Sequence, residues 1–292
     1  MFSLASKIEL DYPLHKLTSM KVGGQCTYYI VPNSIDEVVE VKRNCRLSNT
    51  PIFVLGNGSN IIVNDRGFDG VVLHIGKGLK EIQVNEDHVY AEAGVALPLL
   101  SNLMAKYGIG GFEFYAGIPG TIGGAVVMNA GCIGHDTSEI VKSIIYIDEN
   151  EELQEVEVHD ANFHFRSSRF HGQADIIVAV KFHLRYADDI QLVQQKTKMA
   201  ADIRKGKFPI NVATVGSTFK SPPEGPHPGR LIEEAGLKGY KIGGAEISHV
   251  HANWIINDGS ATADDIRRLI IFIKESVYIK FNILLEEEAI YV

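Results

Sequence analysis

Cysteine is scarce in this chain, with Cys26, Cys45 and Cys132 the three among 292 residues. Their odd number and scattered positions give neither a disulfide framework nor a metal-ligand spacing. Reduced thiols in a cytoplasmic protein, and no metal, are the expectation. Positive charge is outweighed as well: 28 basic against 36 acidic residues leave a net charge of −8, which argues against a nucleic-acid partner. No apolar run reaches the ~20 residues of a membrane-spanning helix. The N-terminus, Met1 to Lys7, is soon followed by Glu9 and lacks the sustained apolar region of a secretory signal. Internal repeats and low-complexity tracts are also missing. Two nucleotide-binding motifs fail: no Walker lysine occurs, and Gly56-Asn57-Gly58 is followed by Ile61 where a dinucleotide fingerprint needs its third glycine.

What is present is an ordinary globular composition, 45% hydrophobic and 22% charged, with a length suited to roughly two domains. Thr27 to Val31 reads as a strand, and Ser34 with Glu37 as a capping box opening a helix to about Arg43. Short apolar runs at 52–55, 61–63, 71–75 and 88–92, separated by Gly, Asn and Asp turns, read as strands, and 97–107 reads as a helix. Val141–Ile147 and Asp175–Leu184 predict longer strands. Beyond Tyr186 the pattern changes. A long helix begins near Ile190, a short one lies around Leu231–Ala235, and His251–Ile256 reads as a strand. Thr262 with Asp265 then opens a helix to about Val277, and a strand closes the chain over Asn282–Val292. The class expected is α+β, divided into residues 1–186 and a smaller α/β domain over 187–292.

Two turns carry the strongest functional signal. Gly56-Asn57-Gly58-Ser59-Asn60 lies between the strand-like runs Ile52–Leu55 and Ile61–Val63. The second turn, Gly117-Ile118-Pro119-Gly120-Thr121-Ile122-Gly123-Gly124, follows about sixty residues on, with Asn129-Ala130-Gly131 just beyond. Tight polar turns can aim several backbone N–H groups at one anion without a cationic side chain, and glycine lets the backbone approach a ligand closely. Two such turns suit the pyrophosphate of an extended dinucleotide, most simply a flavin.

Three further segments bear polar groups of catalytic type. Phe163-His164-Phe165-Arg166-Ser167-Ser168-Arg169-Phe170 sets two arginines among rings, and a guanidinium fork so held suits a carboxylate. A surface ion pair with aromatic cover is the plainer reading. Gly216-Ser217-Thr218-Phe219-Lys220-Ser221 places a serine directly after glycine, but Val215 and Phe219 stand where an acyl-transfer elbow needs glycines. Glu286-Glu287-Glu288 interrupts the closing apolar strand, where alternation puts Glu286 and Glu288 on one face and Glu287 on the other. His249 and His251 are two positions apart and have no third metal ligand.

Together these segments resemble the UDP-N-acetylenolpyruvoylglucosamine reductase family over essentially the whole chain, in its compact variety. The resemblance rests on Gly56–Asn60, Gly117–Gly131, Phe165–Ser168, Gly216–Lys220, Pro228–Gly236, Ser248–Asn253 and Glu288, in that order along the chain. It implies a two-part FAD-binding region of the vanillyl-alcohol oxidase type, followed by a substrate-binding domain that includes the C-terminal strand. It also implies a reaction: NADPH reduces non-covalent FAD, and the enolpyruvyl ether of UDP-N-acetylglucosamine is then reduced to UDP-N-acetylmuramate for peptidoglycan synthesis. Arg166, Ser217 and Glu288 match the family's catalytic arginine, proton donor and acidic residue. The cofactor would lie on Gly56, Asn57, Gly58, Ser59, Asn60, Gly117, Ile118, Pro119, Gly120, Thr121, Gly123, Gly124, Asn129 and Gly131. Lys207, Lys220 and Ser221 match substrate-binding positions. A cytoplasmic monomer with small-molecule partners alone is the expectation.

This chain departs from the family at Ile133 and Phe165, where tyrosine is common, and at Ser221, where asparagine is. Another FAD-dependent oxidoreductase of the same fold, or a non-catalytic nucleotide-sugar binding protein, are the alternatives the residues leave open.

Overall fold

The computed structural model describes residues 6–207, 212–221 and 224–292, with Lys207 described through its backbone. The chain forms two compact units. The first takes the chain up to Glu9, Tyr28–Asn57 and Gly70–Gly206; the second takes Leu10–Thr27, Gly58–Asp69 and the chain from Lys207 on.

The first unit is built on a five-stranded antiparallel sheet. Its strands run in the order Leu153–Glu157, Val141–Ile147, Ile176–His183, His88–Glu92 and Ile82–Val84. The central strand begins Ile-Ile-Val-Ala-Val, and all five of these side chains are buried, as a β-branched run covered on both faces should be. Helix α1 (Ile35–Leu47) starts where Ser34 accepts from the Glu37 N–H. The Glu37 carboxylate accepts in turn from the Asn33 N–H at 2.7 Å, one residue before the expected box partner. Val38, Val41 and Cys45 bury one face of α1, and the Lys42 ammonium donates to the carbonyls of Ile147 and Ala174. Helix α2 (Leu97–Lys106) has proline in its first turn and buries Leu97, Leu100 and Met104. The glycine-rich turn over 117–124 proves to be the entry to a further helix, α3 (Ile122–Met128), capped by Thr121 and ended by Asn129 at φ +42°. Helix α4 spans Ile190–Lys207. Within a separate sheet, Ile52–Leu55 pairs in parallel with Phe68–His74, setting Ile52 opposite Val71 and Leu55 opposite His74.

The second unit has its own core. A three-stranded antiparallel sheet of Lys241–Ile242, Ala245–Ile247 and Ile255–Asn257 packs with α5 (Pro228–Glu234) and α6 (Ala263–Phe281). In α6 both halves of the Thr262/Asp265 capping box are formed, and the Asp65 carboxylate accepts from the N–H groups of Ala263 and Asp264. Ile266, Leu269, Ile270, Ile273 and Val277 recur at helical spacing and are buried, each contributing about 2 kcal/mol relative to exposure.

Two expected strands come out differently. His251–Asn253 do not extend; the Trp254 N–H closes a turn on the His251 carbonyl, and the strand is Ile255–Asn257. The closing strand over 282–292 shortens to Ile290–Tyr291, paired in parallel with Ile61–Ile62. Its neighbours before residue 290 bond to a different partner, the 218–220 segment.

Candidate active site

In the first unit the two glycine turns meet. The strand Ile52–Leu55 delivers Gly56 and Asn57, and the Asn57 side-chain amide donates to the Gly120 carbonyl at 3.1 Å. A Cβ on Gly56 would lie 2.5 Å from Thr121 Oγ1, so only glycine allows this approach. Within the second turn, the N–H groups of Ile118, Ile122 and Gly123 are already held by the carbonyls of Tyr115, Val95 and Ala93. These three residues build the turn, their N–H groups being committed within the protein. Gly123 has a packing reason of its own, since a Cβ there would come within 3.1 Å of Ala93 Cβ. Gly124 bonds weakly to the Thr121 cap, Gly117 packs against Ala200, and Pro119 stands between Gly117 and Gly120.

Asn129 is buried, its amide donating to the His164 carbonyl and its oxygen accepting from the Ser138 N–H. Its side chain thus joins α3 to the arginine segment. Arg166 sits at the tip of a two-residue turn closed by reciprocal bonds between His164 and Ser167, with φ +54° and its guanidinium 4.9 Å from the Phe165 ring. Its Nη2 donates to the Gly131 carbonyl at 3.1 Å. A non-glycine residue in that conformation is uncommon, and such backbone is found disproportionately at ligand sites. Arg169, the other arginine, is a structural one: it lies over Tyr146 and Phe170, donates to the Tyr146 hydroxyl and faces Asp175.

Sequence reasoning passed over Arg204. It is half-buried on α4, and burial pulls its guanidinium below the usual arginine range. Arg204 and Arg166 both act electrostatically on Cys132, opposing the upward push that burial gives its thiol. Nothing local to Arg204 signals this, because Cys132 comes to it through the fold.

In the second unit, Ser217 follows Gly216, whose φ is +81°, and bridges Trp254. Asn253 clamps the next residues: its carbonyl accepts from the Thr218 N–H at 2.8 Å, its Oδ1 from the Phe219 N–H at 3.0 Å, and its Nδ2 donates to the Phe219 carbonyl. On the other side the Glu288 N–H donates to the Thr218 carbonyl at 2.8 Å and the Lys220 N–H to the Glu286 carbonyl at 2.8 Å. The segment carrying Ser217 is therefore the middle of three hydrogen-bonded strands of chain, and Glu288 is bonded to Ser217's neighbour. Asn60 contributes here, its amide donating to the Glu288 carbonyl at 2.8 Å. Gly58 accepts the Ser19 N–H through its carbonyl, and Ser59 lies between it and Asn60.

The three glutamates separate by environment. Glu286 is 73% exposed at its side chain and pairs with Lys220. Glu287 pairs with Lys274 at 2.7 Å and with the Tyr291 phenol, whose pKa rises through burial and that contact. Glu288 is half-buried. Ser221 is half-buried at the edge of the described residues, and the Lys207 side chain lies outside them. Among the described residues no cluster of three or more His, Cys, Asp or Glu could hold a metal ion, and no helix is long and apolar enough to cross a membrane.

A cradle lined by backbone and amide groups, closed so tightly that a Cβ on Gly56 would strike Thr121, fits a pyrophosphate. The fold and these turns define an FAD-binding protein of α+β class, and residues 26–157 match the FAD binding domain family. Residues 208–292 match the C-terminal domain of UDP-N-acetylenolpyruvoylglucosamine reductase. Proteins of that name from Syntrophomonas wolfei and Desulforamulus reducens are 39% and 38% identical to the chain, each over 97% of it and over 94% and 92% of their own length. The crystal structure of the Thermus caldophilus enzyme superposes with a TM-score of 0.82 at 29% identity, covering 98% of both chains. The chain belongs to the UDP-N-acetylenolpyruvoylglucosamine reductase family.

Proposed function

We propose that this protein reduces the enolpyruvyl ether of UDP-N-acetylglucosamine to UDP-N-acetylmuramate, with FAD as bound cofactor and NADPH as electron donor, in peptidoglycan precursor synthesis. The observation that carries this reading is the whole-length relationship to reductases of that name. The residues that hold Arg166, Ser217 and Glu288 in place support it. Residues 1–186 serve the flavin and 187–292 the substrate, in a monomer in the cytoplasm.

The reaction adds a hydride and a proton across the enolpyruvyl double bond, and bound FAD, recharged by NADPH, supplies the hydride. The turns at 56–60 and 117–131 hold the pyrophosphate. Negative charge grows on the substrate carboxylate as the double bond is reduced, and Arg166, fixed by Gly131 and Phe165, stabilises it. The Ser217 hydroxyl donates the proton to the second carbon. A free serine is a weak acid, so this role depends on the rigid positioning that Asn253 and Trp254 give its segment. Glu288 shares in holding the developing charge through a proton of its own. Lys220, Ser221 and Lys207 orient the rest of the substrate.

An anaerobic absorption spectrum of the purified protein tests the reading. NADPH should bleach the oxidised flavin bands, and the enolpyruvyl sugar nucleotide should restore them with one equivalent of product. Bleaching that only oxygen reverses would point to an oxidase, and no flavin spectrum at all to a nucleotide-sugar binding protein.

A further inference from the structure

Ser217 is reached through a bend. Gly216 stands at φ +81°, a conformation glycine adopts without strain, and a Cβ there would meet nothing nearer than the Trp254 ring at 4.0 Å. The backbone angle, not a lack of space, calls for glycine, and the same freedom lets this peptide swing unless something holds it. The holder is Thr214, a buried residue with no part in the roles above, whose Oγ1 accepts from the Gly216 N–H at 3.1 Å. Thr214 is fixed in turn by Ser19. The Thr214 N–H donates to the Ser19 carbonyl at 3.1 Å, and the Ser19 hydroxyl donates to the Thr214 carbonyl at 2.6 Å. Both backbone groups of Thr214 are thus bound by one residue, and its hydroxyl serves Gly216. Ser19 is itself tied down, its N–H donating to the Gly58 carbonyl at 3.0 Å. Asn257 braces the neighbours of both, its N–H donating to the Ala213 carbonyl and its Nδ2 to the Met20 carbonyl, each at 2.9 Å.

Downstream of Ser217, Asn253 accepts from the N–H groups of Thr218 and Phe219. Ser217 therefore lies between two pinned amides, Gly216 before it and Thr218 after it. We propose that Thr214, clamped by Ser19, is a positioning residue for the reduction: it fixes the approach to Ser217 and with it the direction in which the serine hydroxyl gives up its proton. The inference rests on reading Ser217 as the proton donor. A weak acid of this kind contributes only when well placed, and a misplacement of about 1 Å can cost roughly a hundredfold in rate. A threonine that only closed a turn would be felt in the melting temperature and in both half-reactions alike.

The test follows the two half-reactions of the flavin-loaded protein separately by anaerobic rapid mixing, in light and heavy water, and records the melting temperature. Thr214→Val keeps the branched shape and removes the acceptor of the Gly216 N–H. It should slow reoxidation of the reduced flavin by the enolpyruvyl sugar nucleotide roughly ten- to a hundredfold, with a larger solvent isotope effect on that step, and leave bleaching by NADPH at the parental rate. Thr214→Ser keeps the oxygen and should restore the reoxidation rate. Ser19→Ala, which frees the Thr214 carbonyl, should show a smaller loss in the same step. In the Ser217→Ala background Thr214→Val should cost nothing further, because the group it positions is gone. Reoxidation by Thr214→Val at the parental rate would overturn the proposal. So would an equal slowing of both half-reactions, or a full further loss in the double variant. If Thr214→Val does not fold, Ser19→Ala decides by the same split between half-reactions. Ser217→Ala alone separates the two claims. If it is slow and Thr214→Val is not, Ser217 keeps its role and Thr214 loses its own. If Ser217→Ala reoxidises at the parental rate, the donor reading falls and the proposal with it.

Discussion

The side-chain amide of Asn57 donates to the carbonyl of Gly120, 63 positions away in sequence. With Gly56 pressed against Thr121, this bond ties the start of the first glycine turn to the second within the first unit. Asn57→Ala removes a neutral hydrogen bond with a net worth of about 1 kcal/mol, and the FAD dissociation constant should rise about threefold to tenfold. At saturating FAD both half-reactions should run at the parental rate. Titration of the flavin-free variant, followed by rapid mixing of the loaded one, checks both statements. Unchanged FAD affinity would show that the turns hold the cofactor separately.

Local signals in the sequence carried most of the elements. The strands Ile52–Leu55, His88–Glu92 and Val141–Ile147 have the bounds that turn residues and β-branched runs give them, and α6 begins at its Thr262/Asp265 box. What the sequence does not carry depends on partners far away in the chain. Glu286 and Glu288 would share a face of one regular strand, but the segment bonds to Phe219 and Thr218 before reaching Ile61, and the side-chain environments of Glu286 and Glu287 are set by Lys220, Lys274 and Tyr291. Arg204 and His74 were silent for the same reason. Each looks ordinary among its neighbours in sequence and acquires meaning from Cys132 or from Tyr29. The helix at Ile122 was hidden by its glycines, which have low helix propensity and sit in its first turn.

His74 predicts a pH dependence of stability. Burial pushes its folded pKa down to about 4, below the unfolded value of about 6.5. Above pH 6.5 both states are neutral and the group contributes no slope. As pH falls from 6.5 toward 4, the unfolded chain takes up a proton that the folded one refuses, and stability is lost; below 4 the loss levels off. At pH 5 it amounts to about 2 kcal/mol. Urea unfolding of the parent and of His74→Gln at pH 7.5 and pH 5 should show the parent losing more stability by about that amount. Equal losses would mean that the histidine titrates as it does in the unfolded chain.

Ser217→Ala should leave NADPH-dependent bleaching of the flavin nearly intact and slow its reoxidation by the enolpyruvyl substrate about a hundred- to ten-thousandfold, the usual contribution of a positioned proton donor. The backbone frame around it, from Asn253 to Glu288, does not use the serine hydroxyl in any of its bonds named above. The variant's melting temperature should therefore stay close to the parent's. Anaerobic mixing of the reduced variant with substrate gives the rate, and reoxidation at the parental rate would remove Ser217 from the chemistry.

The three adjacent glutamates offer the sharpest comparison, because each should give a different pattern of results. Glu286→Gln loses only an exposed pair with Lys220, worth about 0–1 kcal/mol, and should change neither rate nor stability appreciably. Glu287→Gln gives up its charge opposite Lys274 and its contact with Tyr291, so its cost should appear as a lower melting temperature with both half-reactions kept. Glu288→Gln retains the shape and the backbone bonds to Thr218 and Asn60 but has no titratable proton. It should bind FAD and accept electrons from NADPH as the parent does, and be slow in returning them to the sugar nucleotide. Reduced-flavin reoxidation and thermal melting of all three variants decide the matter. A slow Glu286→Gln beside a normal Glu288→Gln would move the acidic role two residues toward the start of the chain, to the side chain that pairs with Lys220.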